Sequence, residues 1–219
     1  MRVIVIPSRD RLGERLARLV LGLVLCGLGI AVMVAAGLGL GPWDVLHQGI
    51  SQRTGIPIGT VGILTGVVVL AGWVPLRERL GIGTVCNVFL IGITIDLTLL
   101  VLDTPESLAA RIGLLLAGPV LFAVGSGFYI GAGLGPGPRD GLMTGLARRG
   151  WTVRRVRSGI EVTVLVLGWL LGGTVGIGTV LFATTIGPLV HVCLERLSVR
   201  PLPEEPPATP VVTGTPPAL

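Results

Sequence analysis

Apolar residues form long, nearly uninterrupted stretches along the chain, and short polar segments separate them. A helix needs about 20 predominantly apolar residues to cross the hydrocarbon core of a bilayer. Stretches close to this length occur six times, so the pattern predicts an all-α membrane protein with six transmembrane helices. The predicted spans are Ala17–Ala36, Thr60–Leu76, Thr84–Leu102, Ile112–Ile130, Ser158–Val175 and Ile177–Leu194.

The composition of the chain agrees with this pattern. Hydrophobic residues make up 51% of the 219 residues and charged residues only 13%, whereas soluble domains carry about 25% charged residues. A soluble globular domain is therefore excluded. Residues 1–16 are expected to form a cytoplasmic N-terminal segment, and the proline-rich residues 201–219 a disordered cytoplasmic tail.

The basic residues predict how the chain crosses the membrane. All 17 are arginines, and an N-terminus inside the cell would place 15 of them on the cytoplasmic side, leaving only Arg53 and Arg111 outside. Arginine accumulates on the cytoplasmic side of membrane proteins. We therefore expect both termini on the cytoplasmic side of the membrane. An alternative interpretation, in which residues 1–36 form a removable signal peptide, would delete part of the repeat described next.

The chain contains an internal repeat. Gly41–Asp44 (Gly-Pro-Trp-Asp) returns as Gly137–Asp140 (Gly-Pro-Arg-Asp) 96 positions later, and Gly81–Val85 returns unchanged as Gly176–Val180 after 95 positions. Each copy contains three predicted spans, an odd number, so the second copy would enter the membrane from the opposite face. The sequence predicts two inverted three-helix repeats, a pattern found in transporters, although duplication also produces static bundles. The predicted copies are residues 17–105 and 106–200.

A short helix is predicted between the first two spans of each copy. One begins at Pro42 and ends near Gly55, and the other begins at Pro138 and ends near Gly150. Both are too short to cross a bilayer and are expected to be re-entrant or interfacial. Glycines before each helix are expected to make the backbone flexible; they are Gly37, Gly39, Gly41, Gly133, Gly135 and Gly137.

Polar side chains in these apolar surroundings are the candidates for function. Asp44 and Asp140 begin the short helices, where a carboxylate can either stabilise the helix terminus or bind a solute or proton. Asp96 and His191, at matching positions of the third and sixth spans, are predicted to form a proton relay across the two-fold axis; alternatively, water satisfies both near the interfaces. The candidate solute-binding residues are Trp43, Asp44, His47, Gln48 and Asp140.

The stretch Gly41-Pro42-Trp43-Asp44-Val45 and the recurring Gly-Ile-Gly-Thr resemble the YczE/YyaS/YitT family of bacterial integral membrane proteins. The resemblance extends from about Arg15 to Arg200, and its most specific element is the Gly-Pro-Trp-Asp stretch. It implies a multi-pass protein of the bacterial cytoplasmic membrane. It does not imply an activity, because the function of this family is largely unknown.

The sequence favours transport over catalysis. It contains no phosphate-binding loop and no metalloprotease motif, so we expect no enzyme activity, no cofactor and no metal. The leading hypothesis is a small-solute transporter that works by alternating access and is coupled to protons in one version. The alternatives are a non-transporting accessory or scaffold protein and the solute-binding subunit of an ATP-driven importer. The expected partners are a small molecule and membrane lipid rather than nucleic acid, and the oligomeric state stays open.

Overall fold

The computed structural model describes residues 4–5, 11–78 and 80–198. The predicted cytoplasmic tail, residues 201–219, and half of residues 1–16 lie outside this range. Across the described ranges the chain is mostly helical. The elements in chain order are β1 (Ile4–Val5), α1 (Leu12–Ala36), α2 (Pro42–Thr54), α3 (Ile58–Ala71), α4 (Trp73–Leu76), β2 (Leu80–Gly81), α5 (Ile82–Leu99), α6 (Leu108–Gly131), α7 (Pro138–Ala147), α8 (Val153–Leu170) and α9 (Ile177–Leu197).

Within the described ranges, five helical segments are long and apolar enough to cross a membrane. They agree with five of the six predicted spans, and α1 is by far the most buried of them, so it forms the centre of the bundle. Large apolar side chains on the other helices, among them Val68 and Leu97, are exposed on the outside of the bundle, as expected for a surface that faces lipid. The segments are Leu12–Ala36, Ile58–Leu76, Ile82–Leu99, Leu108–Gly131 and Ile177–Leu197.

The predicted fifth span, Ser158–Val175, differs from the structure. The helix at this place is α8, which begins five residues earlier at Val153 and ends at Leu170. Thr152 caps it by accepting a hydrogen bond from the backbone N–H of Arg155, and Gly172 ends the helical region with a left-handed φ of 107°. Because its first turns carry three arginines, α8 is not among the five apolar spans. The helix is as long as a membrane span, but it is amphipathic rather than uniformly apolar.

The two predicted short helices are present as α2 and α7. Each begins with proline at its first position, after a glycine in extended conformation; proline suits this position because the N–H it lacks would have no helical partner. In addition, the structure contains two-residue strands that sequence analysis did not predict: β1 pairs with β2 in parallel.

Helices α1 and α6 pack closely through glycines, and the contacts are reciprocal. A methyl group on Gly22 would lie 2.6 Å from the carbonyl oxygen of Gly125, and one on Gly29 would lie 2.7 Å from that of Gly118. Gly22 and Gly118 are equivalent in the repeat, as are Gly29 and Gly125. Since the earlier residue of one helix meets the later residue of the other, the two helices run antiparallel.

The glycine-rich loops before α2 and α7 are each hydrogen-bonded to the opposite copy of the repeat. The N–H of Gly178 donates to the carbonyl oxygen of Leu38, and the N–H of Gly83 donates to that of Leu134, both at 2.9 Å. The repeat maps these two hydrogen bonds onto each other, because position 38 corresponds to 134 and position 83 corresponds to 178. Each short helix is therefore anchored to the last long helix of the opposite copy.

One arginine in each copy donates hydrogen bonds to the end of a helix in the opposite copy. The Arg53 Nε donates to the Leu171 carbonyl oxygen at 3.1 Å, and Arg149 Nη2 donates to that of Pro75 at 3.1 Å. Arg53 corresponds to Arg149 and Pro75 to Leu171. Arginine is suited to this place because it complements both the free carbonyl groups and the negative end of the helix dipole.

Candidate functional site

The first turns of α2 carry three polar side chains that are almost completely buried. Trp43 is 7% exposed, and Asp44 and His47 are 4% exposed. On a helix, residues three and four positions apart lie on the same side, so His47 lies beside both Trp43 and Asp44. A fourth side chain, Arg139 at the start of α7, reaches them from the other copy. We call these four residues the Asp44 cluster.

Each residue that α2 contributes to the cluster has a buried polar atom without a hydrogen-bond partner. These atoms are Trp43 Nε1, Asp44 Oδ1 and His47 Nε2. More than nine-tenths of buried polar groups in proteins are hydrogen-bonded, and leaving one unsatisfied costs about 1–3 kcal/mol. Three such atoms within one turn and a half of helix are therefore expensive for the fold. A ligand or bound water with complementary groups would remove this cost.

The charged groups of the cluster lie just beyond hydrogen-bond distance of one another. Asp44 Oδ1 is 3.6 Å from His47 Nδ1 and 3.8 Å from Arg139 Nη2. The Arg139 guanidinium also lies over the Trp43 ring, 4.8 Å from its centroid, a distance suitable for a cation–π interaction. Asp44 thus has one nearby cation that it does not contact directly.

His47 is expected to be neutral at pH 7. It belongs to α2, which is not one of the five apolar spans. Burial lowers the pKa of His47 and outweighs the nearby Asp44 carboxylate, which favours the charged form. With neutral His47, the cluster balances one carboxylate against one guanidinium.

Asp44 lies in the first turn of α2, where its carboxylate complements the positive end of the helix dipole. Its Oδ1 has no hydrogen-bond partner among the described residues, so this atom does not cap the helix. Gln48, another predicted solute-binding residue, has a structural contact instead, because its Oε1 accepts a hydrogen bond from the backbone N–H of Thr174 at 2.6 Å.

The second copy of the site has a different character. Asp140, the counterpart of Asp44, is exposed. Near it, a methyl group on Gly137 would meet Tyr129 Oη at 2.7 Å, whereas in the first copy one on Gly41 would meet the Phe182 ring at 2.9 Å. The structure therefore does not bring Asp140 into the Asp44 cluster, and the two acids have different surroundings.

The predicted proton relay between Asp96 and His191 is not formed. Asp96 accepts hydrogen bonds from the backbone N–H groups of Gly59 and Thr60, at 2.6 and 2.8 Å, and from the Thr60 hydroxyl at 2.7 Å. It thereby caps the N-terminus of α3. His191 lies on the surface of α9, and its Nε2 is 3.4 Å from Glu195 Oε1. The repeat predicts equivalent positions correctly, but equivalent positions need not be in contact.

The predicted flexible glycines fall into two groups. Gly37, Gly39, Gly133 and Gly135 have φ between 61° and 129°, a region that other residues rarely occupy. Gly41 and Gly137 have ordinary φ values of −63° and −65°. At these two positions glycine is required for space rather than for backbone conformation, because a side chain would meet Phe182 or Tyr129.

Sequence analysis missed Arg139 as a site residue. Its position in the repeat was visible, because it replaces Trp43 in the second Gly-Pro-x-Asp stretch. The equivalence itself was only a partial signal: some residues at the contact between the copies meet their own counterparts, but the repeat does not specify which ones. Cys26 and Phe122 are a second such pair, since they are 96 positions apart and Cys26 Sγ lies 3.6 Å from the Phe122 carbonyl oxygen.

Two surface cavities of about 410 and 480 Å³ lie elsewhere. The first is an apolar groove between α7 and α8, and the second is lined by the ends of α4 and α7 with Arg77, Arg148 and Arg149. Neither is lined by a residue of the Asp44 cluster. The three α2 side chains of the cluster are buried in this conformation, whereas the Arg139 side chain is 36% exposed.

The sequence was compared with known proteins. The family of unknown function DUF6198 matches residues 13–195. An uncharacterized protein of Haemophilus influenzae is 41% identical, and 84% of each chain is covered. The uncharacterized membrane protein YczE of Bacillus subtilis is 35% identical over 80% of this chain and 83% of its own. YyaS, an uncharacterized protein of the same organism, is 30% identical over 78% and 88%. No solved structure matches.

Proposed function

The chain belongs to the family of unknown function DUF6198, and we propose that it is a carrier of a small solute across the bacterial cytoplasmic membrane. The Asp44 cluster is the proposed binding site. The protein is proposed to act without enzymatic chemistry, by exposing this site alternately to the two sides of the membrane. The similarity to YczE, which is described as a membrane protein, and the five apolar helical segments support the membrane location.

The proposal includes an inverted repeat. Support comes from pairs of contacts that the repeat maps onto each other: Gly22 with Gly125 maps onto Gly118 with Gly29, and the two loop hydrogen bonds between the copies map onto each other in the same way. A two-fold axis perpendicular to the antiparallel pair α1 and α6 would relate all of them. Such an axis lies in the membrane plane, the arrangement found in many transporters, whose sites lie at the interface of the repeats.

We further propose that both termini are cytoplasmic. The two arginines that this orientation leaves outside, Arg53 and Arg111, both have a structural task. Arg53 binds carbonyl groups at the end of α8, and Arg111 donates to the carbonyl oxygens of Ala36 and Gly37 at the end of α1. Their presence outside is therefore explained by helix capping and does not count against the arginine distribution.

One observation carries the proposed function. Three buried polar atoms without hydrogen-bond partners lie together on a short helix that follows a glycine-rich loop. A static bundle gains nothing from unsatisfied groups in its interior. A carrier needs them, because its binding site must be available when empty. In the proton-coupled version of this carrier, Asp44 and His47 rather than Asp96 and His191 would bind the proton.

Two-sided accessibility tests the proposal. His47→Cys is introduced after replacing Cys26, Cys86 and Cys193 by alanine. Right-side-out and inside-out membrane vesicles are then treated with a membrane-impermeant maleimide. A carrier visits outward-open and inward-open states, so the cysteine is expected to react in both preparations.

Three matched cysteines calibrate the measurement. Val68→Cys, on the lipid-facing side of α3, should react in neither preparation. Glu106→Cys should react only from outside and Arg154→Cys only from inside, if the proposed orientation holds. Reaction of His47→Cys from one side alone would contradict the carrier and favour a solute-binding subunit of an importer. Reaction from neither side would favour a scaffold protein.

A further inference from the structure

The contacts of Arg139 indicate which class of solute the Asp44 cluster accepts. Its guanidinium lies over the Trp43 ring and near the Asp44 carboxylate, so an aromatic face and an anion converge on one planar cation. Arg139 belongs to the opposite copy and begins a different short helix. The side chain is 36% exposed, so it has a path out of the cluster. The chain thus shows, with its own side chain, what kind of group fits there.

Arg139 lies near Asp44 without forming a hydrogen bond to it. The distance of 3.8 Å between Arg139 Nη2 and Asp44 Oδ1 is too long for a hydrogen bond, and Asp44 Oδ1 has no other partner. A guanidinium that entered from solvent would be free of the α7 backbone and could approach more closely. Charge-assisted hydrogen bonds of this kind are roughly twice as strong as neutral ones.

The other unpartnered atoms add to the description of the ligand. Trp43 Nε1–H is a donor. If the Nδ1–H of neutral His47 points towards Asp44, its Nε2 is an acceptor. The cluster therefore offers acceptors at Asp44 Oδ1 and His47 Nε2, and a donor at Trp43 Nε1. A cation with several N–H groups satisfies the two acceptors, and a water or an acceptor on the ligand satisfies the donor.

Building on the proposed carrier function, we propose that the Asp44 cluster binds small organic monocations bearing N–H groups, and that Arg139 occupies the same place when the site is empty. Two cations cannot share one buried carboxylate without strong repulsion. Loading the site therefore displaces the Arg139 guanidinium towards solvent. Arg139 in turn spares the empty site an uncompensated buried charge.

Isothermal titration of the detergent-purified full-length protein tests this proposal. The probe is methylguanidinium at millimolar concentrations. Methylurea is the matched neutral probe of the same shape, and acetate is the anionic control. Wild-type protein is expected to bind methylguanidinium and neither of the other two.

Removing the internal competitor should strengthen binding. Arg139→Gln is expected to bind methylguanidinium at least tenfold more tightly than wild type, because no side chain must be displaced. Arg139→Lys, which keeps the charge but loses the planar group that stacks on Trp43, is expected to lie between them and serves if Arg139→Gln does not fold. Arg154→Gln removes an exposed arginine from α8 and should change the affinity less than twofold.

Removing the carboxylate should abolish binding. Asp44→Asn is expected to lose at least tenfold in affinity in both the wild-type and the Arg139→Gln background, whereas Asp140→Asn should change it less than twofold. An unchanged affinity in Arg139→Gln would overturn the role of Arg139. Binding of methylurea as tight as that of methylguanidinium, or no binding in any folded variant, would overturn the cation site.

The two proposals can fail separately. If cations do not bind but position 47 is accessible from both sides, the protein carries a solute of another class. If cations bind as expected but position 47 is accessible from one side only, the site is real and the carrier function is wrong.

Discussion

The short helices α2 and α7 begin with the same Gly-Pro-x-Asp stretch and differ in what they do with it. In α2 the acid is buried beside Trp43 and His47, and three polar atoms lack partners. In α7 the acid is exposed, and Met143 stands where α2 has His47. The comparison shows that one copy kept a buried polar site while the other supplied a single arginine to it. Equivalent positions in a repeat therefore do not predict equivalent roles.

The largest expected difference between the copies concerns two tryptophans at equivalent positions. Trp73 is 1% exposed, and its Nε1 donates to the Pro138 carbonyl oxygen at 2.9 Å, whereas Trp169 is 61% exposed. Trp73→Ala should lower the free energy of unfolding by about 3–5 kcal/mol, because it removes a large buried ring and a hydrogen bond. Trp169→Ala should cost less than about 0.5 kcal/mol. Reversible unfolding in mixed micelles measures both, and equal losses would refute the asymmetry.

The next difference concerns Asp96 and His191, which sequence analysis had paired. Asp96→Asn should cost about 1–2 kcal/mol of stability, since it weakens the cap at the start of α3. His191→Gln should change stability by less than about 0.5 kcal/mol, because the side chain is exposed. The same unfolding measurement applies. If instead both variants shift the pH dependence of one solute flux and neither alters stability, the relay hypothesis returns.

A third difference is in the response to acid. Because burial lowers the pKa of His47 below the unfolded value of 6.5, the unfolded state binds more protons, and stability falls as the pH drops below about 6.5. The slope can reach about 1.4 kcal/mol per pH unit. Unfolding measured between pH 7 and 5.5 should show this slope in wild type and a flatter one in His47→Gln. His191→Gln is the control. If the pH dependence of stability disappears in His191→Gln, the effect belongs to His191 and not to His47.

The smallest expected effects are losses of stability that should be equal in the two copies. They test whether equivalent arginines contribute equally. Arg53→Gln and Arg149→Gln each remove a cap from the end of a helix in the opposite copy. Each should cost about 0.5–1 kcal/mol, because the hydrogen bonds are exposed. The two losses should agree closely, with Arg154→Gln near zero. A loss confined to one of the pair would show that the reciprocity is geometric only.

Sequence analysis predicted the helices well because their signals are local. Five spans and both short helices follow from apolar length and from glycine–proline starts such as Gly41-Pro42. The bounds of α8 were missed because Thr152 begins the helix inside the arginine-rich segment, where hydropathy gives no sign of a helix. The strand pair β1 and β2 was missed because two-residue strands leave no periodic pattern.

The site was predicted only in part, for a reason of geometry. The polar residues of α2 were identified from their apolar surroundings, and Asp44, His47 and Trp43 do lie together. Contacts between the copies could not be derived from the repeat alone. Asp96 and His191 are equivalent but have separate partners, whereas Trp43 and Arg139 are equivalent and touch. Which pairs meet depends on how the helices pack, and the spacing of the repeat does not specify that.

The meeting of positions 43 and 139 has a consequence for how such a chain can arise. In a dimer of two identical half-length chains, both positions would carry the same residue, and each side chain would face a copy of itself. Two arginines there would repel, and two tryptophans would leave Asp44 without a cation. An aromatic ring opposite a guanidinium requires the two positions to mutate independently. The pair in this chain is therefore accessible only where the two halves are encoded separately, as they are here within one chain.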